Sequence, residues 1–410
     1  MNRRDFMRAM GLAAGAIPLG RNAWAAATEG PAPAQRKLIV ILLRGAVDGL
    51  NVVIPYGDTD YYRLRPSIAV PRPGQDNGAI ALDSYFGMHP ALVALRDLWA
   101  QRKLAFVHAA GSPDATRSHF DGQDYIESGT PGRKATPDGW MNRLLTALPG
   151  PALPTRAISV GPVMPRILSG RAAATNIAAG AAATRATPLD RPRIGDAFAQ
   201  LYRGNDRLAR TYQEGRQTHS EVMASMESEM RLADGGAPLP NGFPDDAARL
   251  ATLIRNDPHV QLAFMALGGW DTHANQGAST GQLANHLLPL GQGLATLAQG
   301  LGPLFDNTVI VVLSEFGRTV RQNGNNGTDH GHGNAIWLLG GPVAGGKVHG
   351  DWQGLADGQL YEGRDVPVTT DFRLVLAQIA ERHLRLSDQQ LQRLFPALPK
   401  RASPLQLIRT

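Results

Sequence analysis

Six runs of consecutive apolar residues punctuate the chain: LIVILL at 38–43, LAFVHA at 104–109, AISV at 157–160, VQLAFMAL at 260–267, TVIVVL at 308–313 and AIWLL at 335–339. They run on instead of alternating with polar positions, which predicts strands covered on both faces. Between them the spacing changes. PALVALRDLWAQR at 90–102 and GQLANHLLPLGQGLATLAQGLGPLF at 281–305 place leucines three or four apart, the period of a helix with one apolar stripe. Such strands alternating with helices predict an α/β fold: one domain over 36–410, with a mostly parallel central sheet and helices on both faces. One stretch breaks the rhythm. From about 188 to 236 the chain is polar, poor in strand formers and helical in pattern, and Leu201, Leu208, Tyr212 and Met223 give it an apolar stripe by which to dock. A helical insertion is expected there. The preceding AAATNIAAGAAATRATP at 172–188 is low in complexity and reads as a loop.

The first 25 residues stand apart. Arg3 and Arg4 lead into Phe6, a mild apolar run and the small-residue site Ala-Trp-Ala ending at Ala25. This order is that of a twin-arginine export signal, whose apolar part is too short and glycine-rich to span a bilayer stably. The expectation is a protein handed, already folded, to the twin-arginine machinery and released in the periplasm or outside the cell. Charge supports a modest surface. The formal net charge of +6 falls to +3 once the signal is gone, leaving 37 basic and 34 acidic residues, and that excludes a nucleic-acid binder by charge alone. Cysteine is absent, so disulfides and zinc-thiolate sites are excluded.

The candidate chemistry collects at strand ends, where loops of a parallel sheet converge. LIVILL runs into Asp48, VQLAFMAL into Asp271 and His273, and TVIVVL into Glu315 and Arg318. GTDHGHGN at 327–334 adds Asp329, His330 and His332 among glycines that let the backbone bend. It precedes its strand, so it reaches the same edge only if that strand is antiparallel or the long loop folds back. Seven carboxylates and imidazoles are more than one tetrahedral zinc needs and suit two divalent ions sharing a cleft, zinc or another transition metal by the donor types, with calcium and magnesium open. Bland readings stand beside this one. Asp48 fits a turn, Glu315 fits a pair with Arg318, and the glycine motif fits a turn whose side chains bond the backbone.

A nucleophile is sought in GSPDATRSHFDGQDYIESG at 111–129, which opens a helix near His119. Ser118 and Asp121 have capping-box spacing; the same position gives a hydroxyl the positive field of a helix N-terminus. Thr116 competes for the role. Arg117 and Arg44 are candidates to hold an oxyanion, and His119 is a ligand, a proton donor or an ordinary helix residue. His89 and His108 read as core histidines. Trp140, Trp270 and Trp352 lie in loops, where they either shape a pocket or pack the core.

The twin-arginine leader, RGAVDGLN, HFDGQDYIESGTP, GGWDTHANQ, SEFGRT and GTDHGHG, in that order, resemble the exported bacterial proteins of the domain-of-unknown-function 1501 family. That family is similar to the alkaline phosphatase and sulfatase superfamily. The resemblance implies an α/β fold with a divalent-metal centre at the strand ends. It matches Asp48 to the metal aspartate after the first strand, Asp271 with His273 to the second metal's pair, Glu315 to the late-strand acid and His330 or His332 to the final histidine. The chain departs from it in having Phe316 after Glu315, where the superfamily often pairs aspartate with histidine, and in lacking the sulfatase cysteine. The expected function is a periplasmic metal-dependent hydrolase of phosphate or sulfate esters. The alternatives are an exported binding or scaffold protein that keeps the fold without turnover, and carbohydrate or polymer binding through the tryptophans.

Overall fold

The computed structural model describes residues 35–180, 233–400 and 405–409. The expected signal at 1–25 and almost all of the expected insertion at 188–236 lie outside the described residues. The predicted strands form, with slightly shifted ends. They are β1 (Lys37–Leu43), β2 (Leu104–Gly111), β3 (Ala157–Val160), β5 (Leu262–Leu267), β6 (Thr308–Ser314) and β7 (Asn334–Leu339), joined by β4 (Thr175–Ile177), β8 (Lys347–His349) and β9 (Thr370–Asp371). The sheet order is β8-β2-β7-β6-β1-β5-β3-β4, with β9 also on β2. β4 falls inside the low-complexity stretch read as a loop. It is a three-residue edge strand whose pairing with β3 comes from the sheet and not from local propensity.

Every pairing in this sheet is parallel except those of β7, which runs antiparallel to both β2 and β6. That single reversal matters for the chemistry. It places the residues before β7 at the edge where β1, β2, β5 and β6 end, so the two routes left open for GTDHGHGN resolve to the antiparallel one.

Burial explains the unbroken apolar runs. Along β1, Ile39, Ile41 and Leu43 join one core while Leu38, Val40 and Leu42 join another on the opposite face. The first core is closed by helices α3 (Phe243–Asn256) and α4 (Gln282–Leu301) through Phe243, Leu250, Leu287 and Leu294. The second is closed by α2 (Trp140–Ala147) and α5 (Phe372–Arg382) through Trp140, Leu144, Phe372 and Leu376. With both faces dry, loops at the strand ends are the place left for polar side chains. Trp140 and Trp270 are buried in these cores, while Trp352 is partly exposed. His89 and His108 are core histidines: their rings bond the carbonyls of Ala278 and Val53, and burial pushes both down to about 4. Among the described residues no helix is long and apolar enough to cross a membrane.

Candidate metal centre

Three segments meet at the C-terminal edge. After β5 the chain turns through Gly269 at positive φ, and the buried Trp270 pins the turn by donating its ring N–H to Leu267. Asp271 follows, 1% exposed. After β6, residues 317–319 pair with 329–332 as a short ribbon: Thr319 N–H donates to Asp329, Gly331 N–H to Gly317 and Gly317 N–H to His332. The glycines of the motif permit this closeness. A side chain at Gly331 would collide with the backbone of Arg318, and one at Gly327 with that of His273. The third segment is α1 (His119–Ser128), capped by Ser118, whose Gly122 lets the helix lie against Phe316 and Glu315.

Three imidazoles and one carboxylate converge there. His330 Nε2 lies 2.9 Å from His119 Nε2 and 2.9 Å from His273 Nε2. Asp271 Oδ1 is 3.0 Å from His273 Nε2 and 3.3 Å from His330 Nε2, and Oδ2 is 3.6 Å from His119 Nε2. The other ring nitrogens decide the tautomers. His119 Nδ1 sits 2.8 Å from Glu315 Oε1, His330 Nδ1 2.8 Å from the Arg117 carbonyl, and His273 Nδ1 3.2 Å from Asp329 Oδ1. Each partner is acceptor-only, so Nδ1 carries the proton in each neutral ring and Nε2 points a lone pair inward. Asp271 Oδ2 is buried with no hydrogen-bond partner. Lone pairs brought this close repel unless a cation or protons sit among them.

The titration behaviour agrees. Burial opposes charge on His119, but the Asp271 and Glu315 carboxylates outweigh it and raise the ring to about 9. Burial likewise favours the protonated form of Asp271, yet bonds to His119, His273 and His330 and the charge of Arg318 hold it far below the usual carboxylate range. Glu315 is also held below its ordinary value: burial is overcome by His119 and by the Gly45 amide, which donates to Oε1 at 2.7 Å. Asp234 goes the other way. Burial, helped by the nearby charges of Asp271 and Glu315 against the Gly269 amide, pushes it up to about 6. The site therefore favours positive charge, and three imidazole nitrogens with a carboxylate oxygen are a donor set that fits zinc or a similar ion. His119, Asp271 and His330 offer ligand atoms within 4.8 Å of one another, and His273 joins through its contacts to the latter two.

The expected residues thus separate. Asp271, His273 and His330 come together, and His119 joins them directly. Glu315 and Asp329 stand one bond behind, orienting imidazoles. Asp48 is turned away: Arg65 Nη1 and Nη2 donate to its two oxygens at 2.5 and 3.1 Å, and Gln276 adds a third bond at 2.7 Å. His332 stacks on Tyr361, with ring centroids 4.5 Å apart, outside the cluster. Ser118 accepts from the Asp121 amide at 3.4 Å as a cap, and Thr116 accepts from Ser118 N–H at 3.2 Å. Arg44 pairs with Glu127 at 2.6 Å, and Arg117 with Glu362 and Asp365 at 2.6 and 2.7 Å. Arg318 does not pair with Glu315, three positions before it; it donates to Asp271 at 2.6 Å from a fully buried side chain. Sequence reasoning missed Arg65, Gln123 and Gln276, since nothing local marks residues whose partners lie 17 to 228 positions away.

A family model described as "Protein of unknown function (DUF1501)" matches residues 99–395. The chain belongs to the DUF1501 family. No match is found among curated proteins. Similar solved structures include the PsFucS1 sulfatase from Pseudoalteromonas sp., 12% identical, covering 92% of this chain and 74% of that one at a TM-score of 0.37. A protein in the alkaline phosphatase superfamily from Vibrio parahaemolyticus is 10% identical over 75% of this chain and 60% of that one, at 0.35. The C-terminal periplasmic domain of EcEptC from Escherichia coli, in complex with Zn, is 13% identical over 75% and 73%, at 0.33.

Proposed function

We propose that this DUF1501 protein is a metal-dependent hydrolase of phosphate or sulfate esters, exported to the periplasm or beyond by the twin-arginine machinery. The observation that carries the reading is the convergence of three inward imidazole nitrogens on the buried Asp271 carboxylate, two beside Oδ1, which Arg318 also holds, and one beside Oδ2, which has no hydrogen-bond partner. Among the described residues one such cluster forms, so the reading takes one ion. When bound, a zinc-like ion would supply Lewis-acid polarisation of an ester oxygen.

The chain's own groups define the rest. Glu315, Asp329 and the Arg117 carbonyl hold the three rings in the tautomer that keeps Nε2 free. His273, His330 and Asp329 have side chains 27%, 17% and 55% exposed, so the cluster opens to solvent on that side. Ser118 lies between Arg117 and His119 at the positive end of α1, a position that favours an anionic ester beside its hydroxyl, which is the proposed nucleophile. Arg117 would hold the ester's remaining oxygens by exchanging its exposed partner Glu362 for them.

The test is elemental analysis of the exported protein, with aryl phosphate and aryl sulfate assays beside Asp271→Asn and His330→Ala. About one equivalent of metal and turnover, both lost in the variants, is the expected result. Metal with no turnover over the ester panel would transfer the reading to a non-catalytic binding protein. Failure to take up any divalent metal would end it.

A further inference from the structure

Trp352 packs against the edge of the core but stays partly exposed, away from the metal centre. It follows β8 and lines an open cleft of about 580 Å³ together with Tyr85. Both rings are fixed in place. The Trp352 indole N–H donates to the Tyr85 hydroxyl at 3.2 Å, and that hydroxyl donates to Asp58 at 3.1 Å. His108 and Phe86 pack edge-on against the indole, with centroids 4.4 and 5.5 Å away, and a side chain at Gly57 would collide with the Tyr85 ring. A rigid aromatic platform facing water loses little conformational entropy when something stacks on it.

The polar rim selects the class of ligand. A cation would be drawn by aromatic faces and carboxylates together, but the carboxylates are committed: Asp58 accepts from the Leu355 and Asp60 amides, and Asp60 pairs with Arg63 at 2.7 Å. Among the described residues the Thr59 hydroxyl and the amides of Gln353 and Gln359 bond no protein group, and all three side chains line the same cleft. Groups that both donate and accept, set around an aromatic face, complement a ring that is apolar on its C–H face and hydroxylated at its rim. We propose that this cleft binds a ring of a neutral oligosaccharide, stacked on Trp352 and Tyr85 and hydrogen-bonded by Gln353, Gln359 and Thr59. The same loop continues to Tyr361 and Glu362, which contact His332 and Arg117 beside the metal centre.

The proposal does not depend on turnover, and a binding experiment tests it. Saturation-transfer NMR and titration of tryptophan fluorescence would use maltohexaose, cellohexaose and chitohexaose, with choline chloride as the cationic control. Binding of at least one saccharide with a Kd near or below about 1 mM is expected. Trp352→Ala should weaken it at least about tenfold. Should Trp352→Ala fold poorly, the exposed pair Gln353→Ala with Gln359→Ala must weaken it instead at unchanged Tm. No binding by any of the three saccharides at about 10 mM, binding unaffected by both variants, or preference for choline overturns the proposal.

Discussion

Asp48 and Asp271 invite comparison because they begin alike. Each follows a buried parallel strand, each is 1% exposed, and each has a buried arginine within hydrogen-bond distance. Their surroundings then diverge. Arg65 grips both oxygens of Asp48 and spends its remaining donors on Asn51 and on the carbonyls of Thr319 and Val320, so the charge is matched and every bond is made. Arg318 reaches only Oδ1 of Asp271 and turns its other donors to Thr328, leaving Oδ2 bare among imidazoles. A buried carboxylate with a complete set of partners is structural; one left short is prepared for something else. The two are linked. Gln276 donates to Asp48 and accepts from the hydroxyls of Thr272 and Thr328, and Thr328 accepts from Arg318.

Removing one member of the complete pair should have the largest effect on the fold. Arg65→Ala strands a buried charge and should cost about 3–5 kcal/mol in urea unfolding while leaving metal content unchanged. Loss of metal at native stability would instead make Asp48 part of the centre. Next in size is the pH response of metal-stripped protein. His119, raised from 6.5 to about 9, contributes stability that is fully present below pH 6.5 and lost as pH rises through 9, on the order of 3 kcal/mol. Metal-loaded protein should show the opposite trend in affinity, which strengthens with pH as protons stop competing. Parallel pH profiles of unfolding for the two forms would contradict the shared site.

Smaller effects sharpen the roles of the groups behind the cluster. Glu315→Gln should weaken metal binding by about 10–100-fold, and Asp329→Asn by less, because Glu315 is fully buried and Asp329 half-exposed. Chelator competition measures both; equal losses would break the ranking. Smallest on stability is Ser118→Ala, about 0.5 kcal/mol, since its cap bond to Asp121 is long at 3.4 Å. Its effect on ester turnover separates the nucleophile from the cap: turnover at the wild-type rate would leave Ser118 only the latter.

Much of this was legible beforehand because solvent exclusion writes itself into composition. A strand buried on both faces must be apolar throughout, so LIVILL and TVIVVL announce β1 and β6, and the polar residues that follow them fall at the edge where loops gather. Asp271, His273 and His330 were visible for that reason. Side-chain direction was not. In the sequence Asp48 is indistinguishable from Asp271 and His332 from His330, yet Arg65 and Tyr361 turn one of each pair away. His119 looked like a helix residue with several options until Glu315, 196 positions on, took its Nδ1.

By itself, then, the amino-acid order determined which segments are strands, which edge carries the chemistry and which residue types are available there, since these follow from local periodicity and burial. The tertiary structure alone decided that β7 runs backward, that His119 joins the cluster and that Asp48 leaves it. Those outcomes depend on contacts between groups far apart in the chain, whose geometry is fixed only when both faces of the sheet are packed.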